Sequence, residues 1–374
     1  MQVLGVGNVT NEAALDLSGA TIRHLSPREL DAVAQEGDLL VVKSSGSAAN
    51  IRSGKTAICP VRLSGKIACS NFMIRLLVDR EKIEPYLLWL ILNSTASKKF
   101  IRSIVAASTY PNIKWETYRS LTFPLPPLPE QRRIAARLRE QLVEVQKARA
   151  AVQAQLDATQ TLPAAHLRSL FDSPAAQRWP IRKLGEVCDI QLGKMLSPKS
   201  KTGAHPRPYL RNANVQWGRF ALDNVATMDF SDKEAQKFTL KSGDLLVCEG
   251  GEPGRAAVWD GQISPCFYQK ALHRLRPQDK AVDPYFVMFR LWFGALNHEF
   301  TNSHAKTTIA HLPAIRLMEL PLRVPPLAQQ KQLVNKLQSD LEQASRLQTL
   351  FADRLAALDL LPAALLREAF TGKL

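Results

Sequence analysis

The same pattern runs through this sequence twice, and a chain built from two copies must fold as two related bodies. Pro126-Pro127-Leu128 followed by Gln131 returns as Pro325-Pro326-Leu327 followed by Gln330, at an offset of 199 residues. That offset also carries Leu162-Pro163-Ala164-Ala165 onto Leu361-Pro362-Ala363-Ala364, Phe171 onto Phe370, and Glu84-Pro85-Tyr86 onto Asp283-Pro284-Tyr285, without a gap. Upstream, Gly37-Asp38-Leu39-Leu40-Val41 returns as Gly243-Asp244-Leu245-Leu246-Val247, and Leu4 with Asn8-Val9 as Leu210 with Asn214-Val215, both at offset 206. Arg75 matches Arg274 at 199, so the seven-residue change lies between Val41 and Arg75. Variable loops on a shared scaffold often carry binding specificity.

The copies are not equal at their starts. Under the 206 offset Met1 corresponds to Arg207, so Asp172 to Pro206 has no counterpart at the amino terminus. That stretch includes Trp179-Pro180-Ile181-Arg182-Lys183-Leu184-Gly185-Glu186, which reads as an opening strand and turn. The first copy is expected to lack its N-terminal segment.

From Pro129 to Gln160 there is no Gly, and the only Pro stands at the start, where its missing N–H has no helical partner to lose. A long helix is predicted there. Its apolar positions Ile134, Leu138, Leu142, Val145, Ala148, Val152 and Leu156 fall, at offset 199, on Leu333, Leu337, Leu341, Ala344, Leu347, Phe351 and Leu355. One apolar stripe per helix is the seam expected when two helices pack along their lengths. Roughly 30 residues at 1.5 Å each make a rod of about 45 Å, somewhat more than one turn of B-DNA. Each long helix is expected to end before a short Pro-started one, Pro163 to Phe171 and Pro362 to Phe370. The run Pro124 to Pro129 fits a Pro-x-x-Pro ligand, but its copy also stands just before a long helix, so a stiff domain-to-helix entry is the simpler role.

Four segments follow: a globular domain over 1–125, a helical segment over 126–171, a second globular domain over 172–324 and a second helical segment over 325–374. The fold class is α+β. Two mixed α/β domains stand in tandem repeat, each followed by a long helix, with the helices packing as an antiparallel coiled coil.

Composition narrows the partner. Forty-nine Lys and Arg against 34 Asp and Glu leave a net charge of +15, which points to a polyanion, nucleic acid first. The longest apolar run, Tyr86 to Leu92, is far short of the ~20 residues a bilayer span needs. No signal peptide pattern opens the chain, so a cytoplasmic location is expected. Five cysteines (Cys59, Cys69, Cys188, Cys248, Cys266) without Cys-x-x-Cys spacing read as small buried apolar residues rather than disulfides or a metal site.

A globular half followed by Pro126-Pro127-Leu128-Pro129-Glu130-Gln131 opening a long helix, all repeated, and the closing Ala369-Phe370-Thr371-Gly372-Lys373-Leu374, resemble the specificity subunits of type I restriction-modification enzymes. The second copy departs from the motif with Ala328-Gln329-Gln330. The resemblance spans almost the whole chain. It implies that each half reads one half of a bipartite site in double-stranded DNA, with the helices setting the gap. It also implies two methyltransferase subunits and restriction subunits as partners, which would carry S-adenosylmethionine, ATP and Mg, leaving this chain without a cofactor.

Catalytic chemistry finds no foothold. The Asp/Glu-x-Lys element of many nucleases and the Asn/Asp-Pro-Pro-Tyr/Phe tetrad of amino-methyltransferases are both absent. Gly54-Lys55-Thr56 imitates a phosphate loop, but the first glycine that loop requires is Ala49. A non-catalytic DNA-binding subunit is therefore expected, with no catalytic or metal-binding residues. The alternatives are a helical scaffold whose charge is incidental and a one-chain restriction or modification enzyme.

DNA readers need cations for phosphates, and amide, guanidinium or hydroxyl groups for base edges. In the second half the candidates are Lys199, Lys201, Arg207, Arg211, Asn212 and Gln216, then Arg255, Gln269 and Lys270, then His304, Lys306 and Thr307. In the first half they are Lys43, Ser44, Arg52 and Lys55, then Ser70 and Asn71, then Ser108, Thr109, Tyr110, Asn112 and Lys114.

Overall fold

The computed structural model describes residues 1–44, 52–105, 112–278, 281–300 and 311–370. The chain divides into two compact units, Met1–Ala154 with Ala352–Leu374, and Gln155–Phe351. Each therefore combines a mixed α/β body with parts of two long helices.

Unit 1 holds β1 (Gln2–Leu4), β2 (Thr21–Ile22), β3 (Leu39–Val42), β4 (Thr56–Ile58), β5 (Ile67–Cys69), β6 (Met73–Leu76), α1 (Pro85–Asn93), α2 (Thr95–Val105), α3 (Trp115–Tyr118) and most of α4 (Leu128–Gln160). One sheet has the order β2-β1-β5, with β1 and β5 parallel, and the other is the antiparallel β4-β3-β6. All four residues of β3 are buried because alternate side chains feed two cores. Leu40 and Val42 pack with Leu4, Ala57 and Ile67, while Leu39 and Val41 pack with Leu92, Ile101 and Ile113.

Unit 2 begins in the last turns of α4 and continues with α5 (Leu162–Phe171), β7 (Ile181–Lys183), α6 (Leu184–Val187), β8 (Cys188–Leu192), β9 (Pro206–Leu210), β10 (Val215–Gln216), β11 (Arg219–Phe220) and β12 (Ala226–Asp229). Then come α7 (Asp232–Phe238), β13 (Leu245–Cys248), β14 (Ala256–Val258), β15 (Phe267–Tyr268), β16 (Leu272–Pro277), α8 (Pro284–Leu296), α9 (Ala314–Met318), β17 (Pro321–Arg323) and α10 (Leu327–Phe370), whose last turns belong to unit 1. The sheets β12-β9-β15 and β14-β13-β16 repeat those of unit 1. Again the central strand serves two cores, Leu245 and Val247 on one side, Leu246 and Cys248 on the other.

Unit 2 has more. Strand β8 extends the second sheet beyond β16, and β7 pairs with β17, whereas among the described residues β6 is an edge strand and unit 1 has no counterpart of β7, β8 or β17. The ion pairs adapt to this. Arg274 binds Asp189 of β8 and Arg276 holds Asp244 at 2.6 Å, while Arg75, the counterpart of Arg274, turns to Asp38 at 2.6 Å. Six of the seven residues by which the copies differ lie in one connection, 43–55 between β3 and β4 against 249–255 between β13 and β14.

The repeated motifs acquire a physical meaning. Glu84 and Asp283 cap α1 and α8, accepting from Leu87 N and from Tyr285 N and Phe286 N, with proline at the first helical position. The glutamine of each proline motif is a buried latch. Gln131 accepts from Glu84 N at 3.0 Å and donates to Lys82 O and Pro126 O, and Gln330 accepts from Asp283 N at 2.8 Å and donates to Ala281 O and Pro325 O. Each latch ties the first turn of a long helix to the cap of its own domain's helix.

The helices meet in antiparallel fashion inside each unit. In unit 1, Leu138 packs with Ala369 and Leu365, Ile134 and Leu142 line the same cluster, and Arg149 reaches Asp359 at 2.6 Å. In unit 2, Leu333, Leu337 and Leu341 join the core that contains Leu167 and Phe171, and Gln348 donates to Thr159 O at 3.1 Å. Val145, Val152, Leu156, Phe351 and Leu355 are half-buried.

Two expectations are corrected. Ala148 and Leu347 do not belong to the stripe: Ala148 is exposed and Leu347 is 39% exposed. Alternating steps of three and four residues lead instead to the half-buried Gln348 in α10 and, in α4, to Arg149, which is exposed but paired with Asp359. Nor does α10 break before Pro362, which lies inside the helix. A mid-helix proline costs about 3 kcal/mol, and here Leu365, Leu366 and Ala369 pack onto Leu90 and Leu138 beyond it. The first copy does break, at Thr161.

Candidate nucleic-acid interface

In unit 2 five connections converge on one end of the sheets. Gly193 follows β8, and a Cβ there would lie 2.3 Å from Gln269 O, so only glycine lets this strand end meet the β15–β16 turn. Lys194 N donates to Tyr268 O, Lys270 N to Lys194 O and Gln269 N to Leu210 O. Asn212 Nδ2 donates to Gly250 O at 2.9 Å, and Arg255 Nη2 to Asn212 O at 3.0 Å. Leu312 N closes the group on Glu249 O at 2.7 Å.

Arg211, Asn212, Arg255, Gln269 and Lys270 thus stand together. Within the cluster Arg211 Nε, Asn212 Oδ1 and Arg255 Nε are buried and find no partner among the described residues. Guanidinium and amide side chains are the types that base-edge recognition uses, although these three atoms are shielded from solvent and are not themselves presented to a duplex. Arg207 is engaged elsewhere, 3.1 Å from Asp232 and over the Phe267 ring, and Gln216 donates to Ala213 O. Lys199 and Lys201 stand in the turn Pro198–Lys201. His304, Lys306 and Thr307 lie outside the described residues.

Two features escaped the sequence reading. Lys194 is a structural cation, its Nζ 2.6 Å from both Glu234 and Asp229 O and over the Phe230 ring. Trp217 stacks on Trp292 at 5.3 Å and 7° and donates to Glu252, which also pairs with Arg255 at 2.8 Å. Two tryptophans, one in the β10–β11 turn and one in α8, were the available signal, but 75 residues separate them.

In unit 1 three segments meet similarly. Lys43 N donates to Phe72 O, Ile113 N to Lys43 O, and Ser44 bridges Asn112. Lys43, Ser44, Ser70, Asn71 and Asn112 are thereby brought together, with the Ser70 hydroxyl unpartnered among the described residues and Lys114 exposed nearby. Lys55 donates to Asn11, and Arg52 stands on the same loop. Ser108, Thr109 and Tyr110 fall outside the described residues.

Among the described residues no three His, Cys, Asp or Glu gather to hold a metal. All five cysteines are buried, with burial raising Cys69 and Cys188 to about 12 and Cys59, Cys248 and Cys266 to about 11. Thiols held so far from ionisation are poor nucleophiles. No described helix is long and apolar enough to cross a membrane.

Two α/β bodies, each ending in a cluster of loops that carry amide, hydroxyl and cationic side chains, define a duplicated protein. The chain belongs to the type I restriction modification DNA specificity domain family, whose model matches residues 30–151 and again 177–349. It is 22% identical over 324 residues to the type I restriction enzyme MjaVIII specificity subunit of Methanocaldococcus jannaschii, covering 82% of this chain and 73% of that protein. It is 22% identical over 354 residues to the EcoKI specificity subunit of Escherichia coli, covering 90% of this chain and 75% of that protein. Among solved structures, a chain of a type I R-M system studied for its complex assembly and conformational transition aligns with a TM-score of 0.73 and 23% identity, over 100% of this chain and 92% of that one. The HsdS subunit of Thermoanaerobacter tengcongensis aligns with a TM-score of 0.70 and 23% identity, over 100% and 90%.

Proposed function

We infer that this chain reads a bipartite site in double-stranded DNA, one half-site with each unit, and delivers partner methyltransferase and restriction subunits to it. The observation that carries this is the doubled loop cluster. Each copy of the specificity domain gathers its own set of amide, hydroxyl and cationic groups, around Asn212 and Arg255 in one unit and around Lys43 and Asn112 in the other. A net charge of +15 supplies the long-range attraction for DNA.

Catalysis belongs to the partners in this reading. S-adenosylmethionine, ATP and Mg act there, and this chain contributes address and assembly in the cytoplasm. The gap between the half-sites follows from the helix lengths, 33 residues in α4 and 44 in α10. The test is to map methylated bases genome-wide with this chain co-expressed with its methyltransferase partner. One split motif with a constant gap is expected. Methylation identical with and without this chain would overturn the assignment, and duplex binding indifferent to salt and sequence would point to the helical scaffold.

A further inference from the structure

The two copies differ sharply at one place the duplication makes directly comparable. Val41 pairs with Thr56 as Val247 pairs with Ala256, which sets Arg52 against Glu252, Gly54 against Gly254 and Lys55 against Arg255. Ile101 lies over Gly54 as Phe300 lies over Gly254, which confirms the correspondence and places Asn93 against Trp292 and Lys98 against Asn297.

In unit 2 this position is filled and neutral. The Trp217–Trp292 stack occupies the space, and Glu252 answers Arg255. In unit 1 the turn corresponding to Trp217 carries Asn11 and Glu12, Asn93 replaces Trp292, and a cation, Arg52, replaces the acid Glu252. The result is a cavity of about 230 Å³ lined by Asn11, Lys55, Asn93, Lys98 and Arg102. Among the described residues none of Arg52, Lys55, Lys98 and Arg102 forms an ion pair; the one carboxylate close enough to act on Lys55 is that of Glu12, which is exposed. The crowding is felt. Burial first and then Arg52 and Lys98 lower the Lys55 pKa against the opposing pull of Glu12, and burial and then Arg102 lower that of Lys98.

Unit 2 attains the same fold with Asn297 in place of Lys98 and with its counterpart of Lys55 neutralised, so the fold does not require this concentration of charge. We propose that the pocket is an anion site that takes a phosphate group, and, resting on the DNA-reading function above, that the group is a backbone phosphate of the half-site held by unit 1. Lys98, Arg102 and Lys55 would donate to its oxygens, with Asn11 and Asn93 as neutral hydrogen-bonding walls. Among the described residues unit 2 gathers no such set of cations, so in this proposal the two half-sites are gripped unequally.

The test uses the full chain, a Lys98→Gln/Arg102→Gln variant, and Arg52→Glu, which restores the acid that unit 2 carries while keeping Lys55. Far-UV circular dichroism establishes that each is folded. Inorganic phosphate, titrated at constant ionic strength, should raise the Tm of the parent chain saturably and leave both variants unmoved. For duplex DNA, the slope of log affinity against log salt should fall by about 1 in each variant, as expected for one lost phosphate contact, with base preference unchanged. Phosphate protection with an unchanged DNA slope would overturn the DNA source and leave a site for free phosphate. Folded variants that behave as the parent in both measurements would overturn the pocket itself. A parent chain without salt-dependent DNA binding would instead overturn the DNA-reading function, whatever the phosphate titration shows.

Discussion

At the scale of single residues, identical sequence positions have been given different work in the two copies. Ile74 in β6 is an ordinary half-buried apolar residue, but its counterpart His273 is fully buried in β16. Its Nε2–H donates to Leu312 O at 2.9 Å, while Nδ1 finds no partner among the described residues. Burial holds the ring pKa below its usual 6.5, so the folded ring stays neutral where the unfolded one accepts a proton. The unfolded chain then binds more protons as pH falls below about 6.5, and stability present above that value is lost on acidification. Between pH 7 and pH 5 unit 2 should lose at most about 1.4 kcal/mol per pH unit from this group. Amide exchange in β16 should accelerate over that range, and His273→Gln, which keeps a donor for Leu312 but cannot titrate, should flatten the dependence. Equal acid sensitivity in both chains would refute it.

At the scale of elements, the glutamine latch explains why proline, proline, leucine and glutamine recur together. Two prolines stiffen the approach, leucine starts the helix, and the glutamine, itself fully buried, satisfies three backbone groups. Gln330→Ala should destabilise unit 2 by about 3 kcal/mol, because an unmade buried hydrogen bond costs about 1–3 kcal/mol. A denaturation midpoint equal to that of the parent chain would remove the latch from the account. The motif and the helix were both legible in the sequence; the latch was not, because Asp283 and Gln330 are 47 residues apart and meet only once α8 and α10 pack. For the same reason Leu347 was misplaced. Periodicity counts steps along one helix, while burial is decided by the partner, and here the partner faces Gln348.

For the whole molecule, duplication separates the labour. Exchanging residues 172–322 with the matching segment of a relative should change one half of the recognised motif and leave the other half and the gap as they were, read out by methylation mapping. A change in both halves, or in neither, would contradict one reader per unit. The comparison of the copies also shows one pair of cores held with different sheet edges. Among the described residues unit 1 keeps both cores around β3 with β6 at the edge, and Arg75 takes the carboxylate that Arg276 takes in unit 2.

Sequence alone determined what repeats locally: two copies, their offsets and the long helices. These follow from chain periodicity and from residues within a turn or two of one another. Tertiary structure decided what depends on distant segments meeting. Asn212 joins Arg255 across 43 residues, Lys43 joins Ile113 across 70, and a row of surface cations in unit 1 becomes a pocket while its image in unit 2 becomes a filled, neutral wall. Sheet register and packing fix those meetings, and no short-range pattern encodes them.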